Sequence, residues 1–179
     1  MEILPEILNR RSIRKFKNDP VSKDQIRMIL QAGIEAPSAK NNQQWRFEVF
    51  TGEEKDKLVT FCVETFANKE KPKMATSTVH SFKIMKEAPV VIVVLNIAEW
   101  GQVTPEIQSI GACIQNMLLQ AEHMGLGSLW ICDVLFVNPE LEKYLNTSFK
   151  LEAAIAIGHK GENPKRRPRM EIDEVTRWH

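Results

Sequence analysis

The stretch Pro89-Val90-Val91-Ile92-Val93-Val94-Leu95 constrains the fold of this chain more than any other part of its sequence. Successive side chains of a strand point to opposite faces, so a strand with one solvated face alternates apolar and polar residues. This run is β-branched almost throughout and has no polar alternation. It predicts a strand buried on both faces. The wider apolar run, Ala88 to Ala98, is too short to span a bilayer.

Helices and further strands surround that strand. Ser22-Lys23-Asp24-Gln25 is a capping box, opening a helix whose apolar positions include Ile26, Ile29, Leu30 and Ile34. Trp45 to Thr51 alternates as a strand, and Gly52-Glu53-Glu54 starts a helix running towards Asn68. Charge and Pro72 make 68–74 a loop. A long helix follows from about Thr104, with Ile107, Ile110, Ala112, Cys113, Ile114, Met117, Leu118 and Ala121 around it, and Gly125 ends it. Apolar residues on several sides suit the middle of a core or a subunit interface. Leu126 to Asp133 contains another strand. Asn138-Pro139-Glu140 reads as an N-cap with proline at the first helical position. Lys150 to Gly158 is a last core strand, and His159 to His179 a surface arm. Helix and strand mix without regular βαβ alternation, which predicts a single α+β domain over 1–179.

Bulk properties narrow the function classes. The 179 residues are 43% hydrophobic and 26% charged, with a formal net charge of +1. Near-neutrality argues against nucleic-acid binding through a broad basic face. Cys62, Cys113 and Cys132 are far apart in sequence, which argues against a disulfide framework, a zinc knuckle or an iron–sulfur cluster. His80, His123, His159 and His179 have no ligand spacing, so no metal site is expected. MEILPEIL lacks the basic start and apolar core of a signal peptide, and the expected compartment is the cytoplasm. Neither GxGxxG nor GxxxxGK[ST] occurs.

Two local charge concentrations stand out in this near-neutral chain: Arg10-Arg11-Ser12-Ile13-Arg14 and Pro164-Lys165-Arg166-Arg167-Pro168-Arg169. Arginine offers a planar fork of donors suited to phosphate, and the two clusters form one phosphate pocket if the fold unites them. On a helix, Arg10 and Arg14 would share a face. Taken singly, each cluster is better explained by a solvated basic end. A third segment, Ala36-Pro37-Ser38-Ala39-Lys40-Asn41-Asn42-Gln43-Gln44-Trp45-Arg46-Phe47, joins a helix end to a strand and is dense in hydrogen-bonding side chains.

RRSIR, APSAKNNQQWRF, IGACIQNMLLQAEHMGLGSLW and AIGHKGENPKRRPRMEIDEV, in that order, resemble the nitroreductase family of FMN-dependent oxidoreductases across essentially the whole chain. The resemblance implies a mixed sheet flanked by helices in an intertwined homodimer, with FMN at the subunit interface. It implies that Arg10, Arg11, Ser12 and Arg14 hold the phosphate and ribityl end, joined by Arg167 and Arg169. Pro37, Ser38 and Ala39 would reach the flavin from the partner subunit, with Asn41 just after them. Trp130, Ile131 and Cys132 would run along the isoalloxazine, and Lys83 would approach it. No catalytic side chain is implied, because flavin carries the chemistry: NADH or NADPH donates electrons, and a nitroaromatic, quinone or similar small molecule accepts them in a ping-pong cycle. The alternatives are a dehalogenase, ene-reductase or azoline dehydrogenase of the same superfamily, which usually carries additional lid segments or partner domains, and a non-catalytic flavin binder, which would carry the same arginines. The chain departs from the family pattern at Ser109 (commonly Asp), Gln44 (commonly Pro) and Cys132, whose expected role is a small buried apolar residue.

Overall fold

A computed structural model of the protein describes residues 2–70 and 75–179. The expected loop at 68–74 therefore lies in part outside the described residues. In chain order the elements are α1 (Pro5–Asn9), α2 (Lys23–Ile34), β1 (Trp45–Thr51), α3 (Gly52–Ala67), α4 (Thr78–Glu87), β2 (Val90–Asn96), α5 (Thr104–His123), β3 (Leu126–Ile131), α6 (Glu140–Tyr144), β4 (Lys150–His159) and α7 (Ile172–Val175). The α+β class holds.

Sheet order is β1-β2-β4-β3, and all three ladders are antiparallel. The expected mixed sheet is met only by one isolated parallel bridge among the described residues, between Ser12 and Ser128. Every residue of β2 is buried, as its lack of alternation requires. Val91, Val93 and Leu95 face a core built with Leu58, Cys62 and Phe66 of α3 and Phe82 and Met85 of α4. Val90, Ile92 and Val94 face a second core built with Ile26 and Ile29 of α2 and Ile110, Ile114 and Met117 of α5. Period-two side-chain alternation thus makes one strand the shared wall of two cores. The result is a helix–sheet–helix sandwich.

Local signals act as expected at several ends. Ser22 Oγ accepts from Gln25 N at 3.2 Å, and Gln25 Oε1 accepts from Ser22 N at 3.0 Å, completing the capping box of α2. Gly125 takes φ +73° just after α5.

Other expectations are corrected. Arg10–Arg14 is not helical: α1 ends at Asn9, Arg10 turns extended (φ −52°, ψ 129°), and Ile13 N donates to Ser128 O at 3.0 Å. Pairing against β3 overrides the local helix option. Pro139, not Asn138, caps α6, and Asn138 Nδ2 donates to Glu142 Oε1 at 3.0 Å. Helices α1 and α4 were not anticipated, α4 because its apolar positions are interleaved with Ser81, Lys83 and Lys86.

Candidate anion and cofactor site

Strand β3 is the spine of the site. It forms one edge of the sheet, and the Ser12–Ser128 bridge lays the first arginine cluster along that edge. Gly127 permits this close approach, because a Cβ there would stand 2.9–3.0 Å from three carbons of the Ile13 side chain. Beyond β4, Arg14 N donates to Glu162 Oε1 at 2.6 Å and Gly161 N to Lys15 O at 2.9 Å, which brings the C-terminal arm back to the same edge.

The two clusters meet there. Arg10, Arg11, Ser12, Arg14, Pro164, Lys165, Arg166, Arg167 and Arg169 line one cavity of about 270 Å³. Within it the guanidiniums turn back on nearby carbonyls. Arg11 Nη1 donates to Leu8 O at 2.7 Å, and Arg169 Nη1 to Arg167 O and Pro168 O at 3.2 and 3.1 Å. Arg11 Nε is buried with no hydrogen-bond partner. Burial, then the charges of Arg169 and Arg11, push the Arg10 guanidinium below its ordinary value. Converging cations and an orphaned buried donor fit a compact anion with several oxygens, such as a phosphate.

Two residues beyond Ser128 on β3 comes Trp130, then Ile131, with Cys132 just past the strand's end. Trp130 is 39% exposed, and its ring lies over α5 at Gly111, where an added Cβ would be 3.8 Å from Cη2. Ile131 is buried in the core on the opposite face of the sheet. Cys132 is exposed rather than the small buried residue expected. Its sulfur is nonetheless partly enclosed, and this enclosure, followed by the charge of Asp133, pushes the thiol up. It is therefore not an activated thiolate. Cys62 and Cys113, both buried, are pushed up to about 12 by desolvation.

The Pro37–Asn41 segment is not brought to the cradle of its own chain. It docks at the opposite end of α5, where Ala39 N donates to Ser109 Oγ at 3.1 Å while Ser109 Oγ donates to Pro105 O at 2.6 Å. Glu122, whose charge acts on Arg10, is about 20 Å further along that helix at about 1.5 Å per residue. Ser38 Oγ accepts from Gln43 N at 3.0 Å, and Lys40, Asn41 and Gln43 take φ of 52°, 55° and 45°. Successive left-handed non-glycine residues store backbone strain of the kind concentrated at ligand sites. Ser109, a departure from the family pattern, thus anchors this loop. Gln44, the second departure, is fully buried and donates from Nε2 to Glu106 O at 3.0 Å. Lys83 is directed elsewhere, with Nζ 4.0 Å from Glu87 Oε1 on its own helix.

A cavity of about 780 Å³ lies between α2, β1, α3 and α4 and is lined by none of the predicted site residues. No group of residues suited to a metal ion occurs among the described residues. None of the described helices is long and apolar enough to cross a membrane.

The sequence model of the Nitroreductase family matches residues 7–159. The chain belongs to the nitroreductase family. Among its relatives of known structure, a candidate nitroreductase from Desulfovibrio desulfuricans, crystallised in complex with FMN, is 31% identical, with a TM-score of 0.80 over 98% of this chain and 95% of that one. A candidate NADH dehydrogenase/NAD(P)H nitroreductase of Methanothermobacter thermautotrophicus is 27% identical over 98% of this chain and 86% of its own. An iodotyrosine deiodinase of Thermotoga neapolitana is 26% identical over 91% of each. In this nitroreductase-family protein Arg10, Arg11, Ser12 and Arg14 of the cradle lie inside the matched region, and the residues of the arm, Pro164 to Arg169, lie just beyond it.

Proposed function

We propose that the protein is an FMN-dependent, NAD(P)H-driven reductase of small electrophiles such as nitroaromatics and quinones. The observation that carries this reading is the arginine cradle with the unpartnered Arg11 Nε at its wall. The FMN-bound Desulfovibrio desulfuricans structure and the 25% identity to an NADPH-flavin oxidoreductase of Vibrio harveyi support it. Arg10, Arg11, Ser12, Arg14, Arg167 and Arg169 would hold the phosphate end. The end of β3 at Trp130, Ile131 and Cys132 would run beside the ring. Bound FMN would supply hydride acceptance from NAD(P)H and delivery to the acceptor, with the two reactants using one open face in turn.

The reading takes the protein as a single cytoplasmic domain over 1–179 acting as an intertwined homodimer. Two features support the dimer. Met170, Ile172, Val175 and Trp178 of the arm are largely exposed, Trp178 at 81%, and an apolar arm of this kind calls for a partner surface. The loop carrying Pro37, Ser38, Ala39 and Asn41 also lies far from its own cradle, so a second subunit would complete the site. A site split between subunits accounts for the small cavity in one protomer.

A reductive dehalogenase reading has the deiodinase similarity in its favour. Turnover of a halogenated phenol with halide release, faster than turnover of any quinone, would select it.

Two measurements test the proposal. The purified protein should be yellow and bleach under anaerobic NADH or NADPH; a colourless protein that cannot be reconstituted with FMN refutes the reading. Arg169→Ala should weaken FMN binding about 10- to 150-fold, the worth of a charged hydrogen bond of about 1.5–3 kcal/mol, and much more than Lys165→Ala. Equal losses in the two variants count against the assignment.

A further inference from the structure

Trp100 stands in the connection between β2 and α5, at 97–103, and that connection is tied to the Pro37–Asn41 loop. Lys40 Nζ lies over the Trp100 ring, 5.3 Å from its centroid, within the range of a cation–π contact. Ile97 N donates to Gln44 O at 2.9 Å, just where the loop runs into β1. Both pieces also rest on α5. Trp100 N donates to Glu106 Oε1 at 3.0 Å, and Ala39 N donates to Ser109 Oγ at 3.1 Å. Glu106 and Ser109 are three residues apart on that helix and so share a face. One helix face therefore holds Trp100 beside Ala39 and Lys40.

This placement costs stability. Glu106 is fully buried, enters no ion pair among the described residues, and its Oε2 has no hydrogen-bond partner. Ala98, Gly101 and Gln102 take φ of 51°, 81° and 59°, facing the left-handed Lys40 and Asn41 across the contact. Strain on both sides of one contact is of the kind concentrated at ligand clamps. What the strained pieces present is open to solvent. Trp100 is 37% exposed, Lys40 is exposed, and among the described residues Lys40 enters no ion pair. An indole face, negative at its centre, suits an electron-poor ring, and an unneutralised ammonium donates well to an anionic oxygen.

We propose that Lys40 and Trp100 form an acceptor-selecting wall, which favours planar, electron-poor aromatic acceptors that carry a carboxylate. The indole takes the ring and Lys40 Nζ takes the carboxylate. This rests on the reading above, in which the Pro37–Asn41 loop completes the flavin site of a second subunit; Trp100 enters that site with the loop. Lys40 is held only by the π face of the indole, so a carboxylate can draw the ammonium to itself and leave the ring face to the acceptor.

The test uses the FMN-loaded full chain with 4-nitrobenzoate and its neutral isostere 4-nitrobenzamide. Both are read on each preparation, so differences in flavin content cancel in their ratio. Wild type should prefer the benzoate, and the preference should shrink as salt rises. Lys40→Gln should lower the ratio of kcat/KM, benzoate over benzamide, about three- to tenfold through KM, the scale of a partly exposed charged contact. Lys40→Arg should keep the wild-type ratio. Equilibrium dialysis against the oxidised protein gives a reading without turnover. There Trp100→Ala should raise the Kd of 4-nitrobenzoate about three- to tenfold, and Trp100→Phe, which keeps an aromatic face, should recover most of the loss. Should Trp100→Ala fail to fold, Trp100→Leu against Trp100→Phe gives the same comparison.

An unchanged ratio in Lys40→Gln overturns the inference, as does an equal fall in Lys40→Arg. So does a Kd that the loss of the indole leaves unmoved, or that Trp100→Phe fails to recover. A wild-type protein that binds no FMN overturns the functional reading, and this inference falls with it. A wild type that binds FMN and turns over, while its variants keep the wild-type ratio and Kd, overturns the inference alone.

Discussion

Gly127→Ala tests whether β3 truly positions the arginine cradle. The new methyl carbon would lie 2.9 Å from Ile13 Cγ2 and 3.0 Å from both Cβ and Cγ1, against an ordinary contact beginning at 3.4 Å. Rotating the Ile13 side chain cannot relieve a clash that includes Cβ, and the side chain is buried with 1% exposure. The backbone of Ser12–Arg14 must therefore retreat by about half an ångström, stretching the 3.0 Å bond from Ile13 N to Ser128 O. Overpacking of this kind costs about 1–3 kcal/mol and a weakened backbone hydrogen bond about 0.5–1.5 kcal/mol. Replacing a strand glycine returns about 0.5–1 kcal/mol. The net expectation is a destabilisation of about 1–3 kcal/mol, read as a lower urea midpoint at fixed protein concentration with unchanged slope. FMN affinity should fall too, since the cradle moves with Ile13. Ile13→Ala removes Cγ1 and Cγ2, two of the three clashing carbons, and leaves Cβ, so the double variant should still lose less than the sum of the two single losses. Wild-type stability and FMN affinity in Gly127→Ala, or strict additivity in the double variant, would refute the reasoning.

Two other outcomes follow from the core and the thiols. Gly33→Ala would set a methyl 2.8 Å from Met117 Cγ and 3.1 Å from Cys113 Sγ, where α2 crosses α5; urea unfolding should show a loss of about 1–3 kcal/mol, with FMN affinity retained. In the native apoprotein only Cys132 of the three cysteines should react with a thiol reagent, while Cys62 and Cys113, pushed up to about 12 and buried, react only after denaturation. A raised pKa leaves the thiol protonated at neutral pH, so the Cys132 rate should climb only as pH passes its ordinary value of 9.0. A rate that levels off below pH 8 would contradict that assignment.

Much of the fold was legible because its signals are local. The apolar run of β2, the capping box of α2, the alternation of β1 and the glycine after α5 act within a few residues of chain, and each element formed where its pattern lies. Arginine chemistry was legible in the same way, since residue type alone decides how well a side chain meets a phosphate. Local patterns also misled. Arg10–Arg14 could be helical by spacing yet lies extended, because pairing with β3 and the seat of Ile13 against Gly127 outweigh a short helix of marginal stability. Cys132 was expected inside, but it stands where β3 runs out of sheet and is exposed.

The sequence by itself determined the two-sided burial of the central strand, the α+β class and the supply of phosphate-binding side chains, since each depends on residue chemistry and short-range periodicity. Only the tertiary structure decided what meets what. The arginine clusters converge because an edge strand accepts one of them and the chain beyond β4 returns the other to it. Ser109 became the anchor of a loop 70 residues away, and Asp133 accepts from Thr78 and Ser81 of α4, 55 and 52 residues away. Hydrogen bonds of that range leave no period in a sequence, because their geometry exists only after the layers have packed.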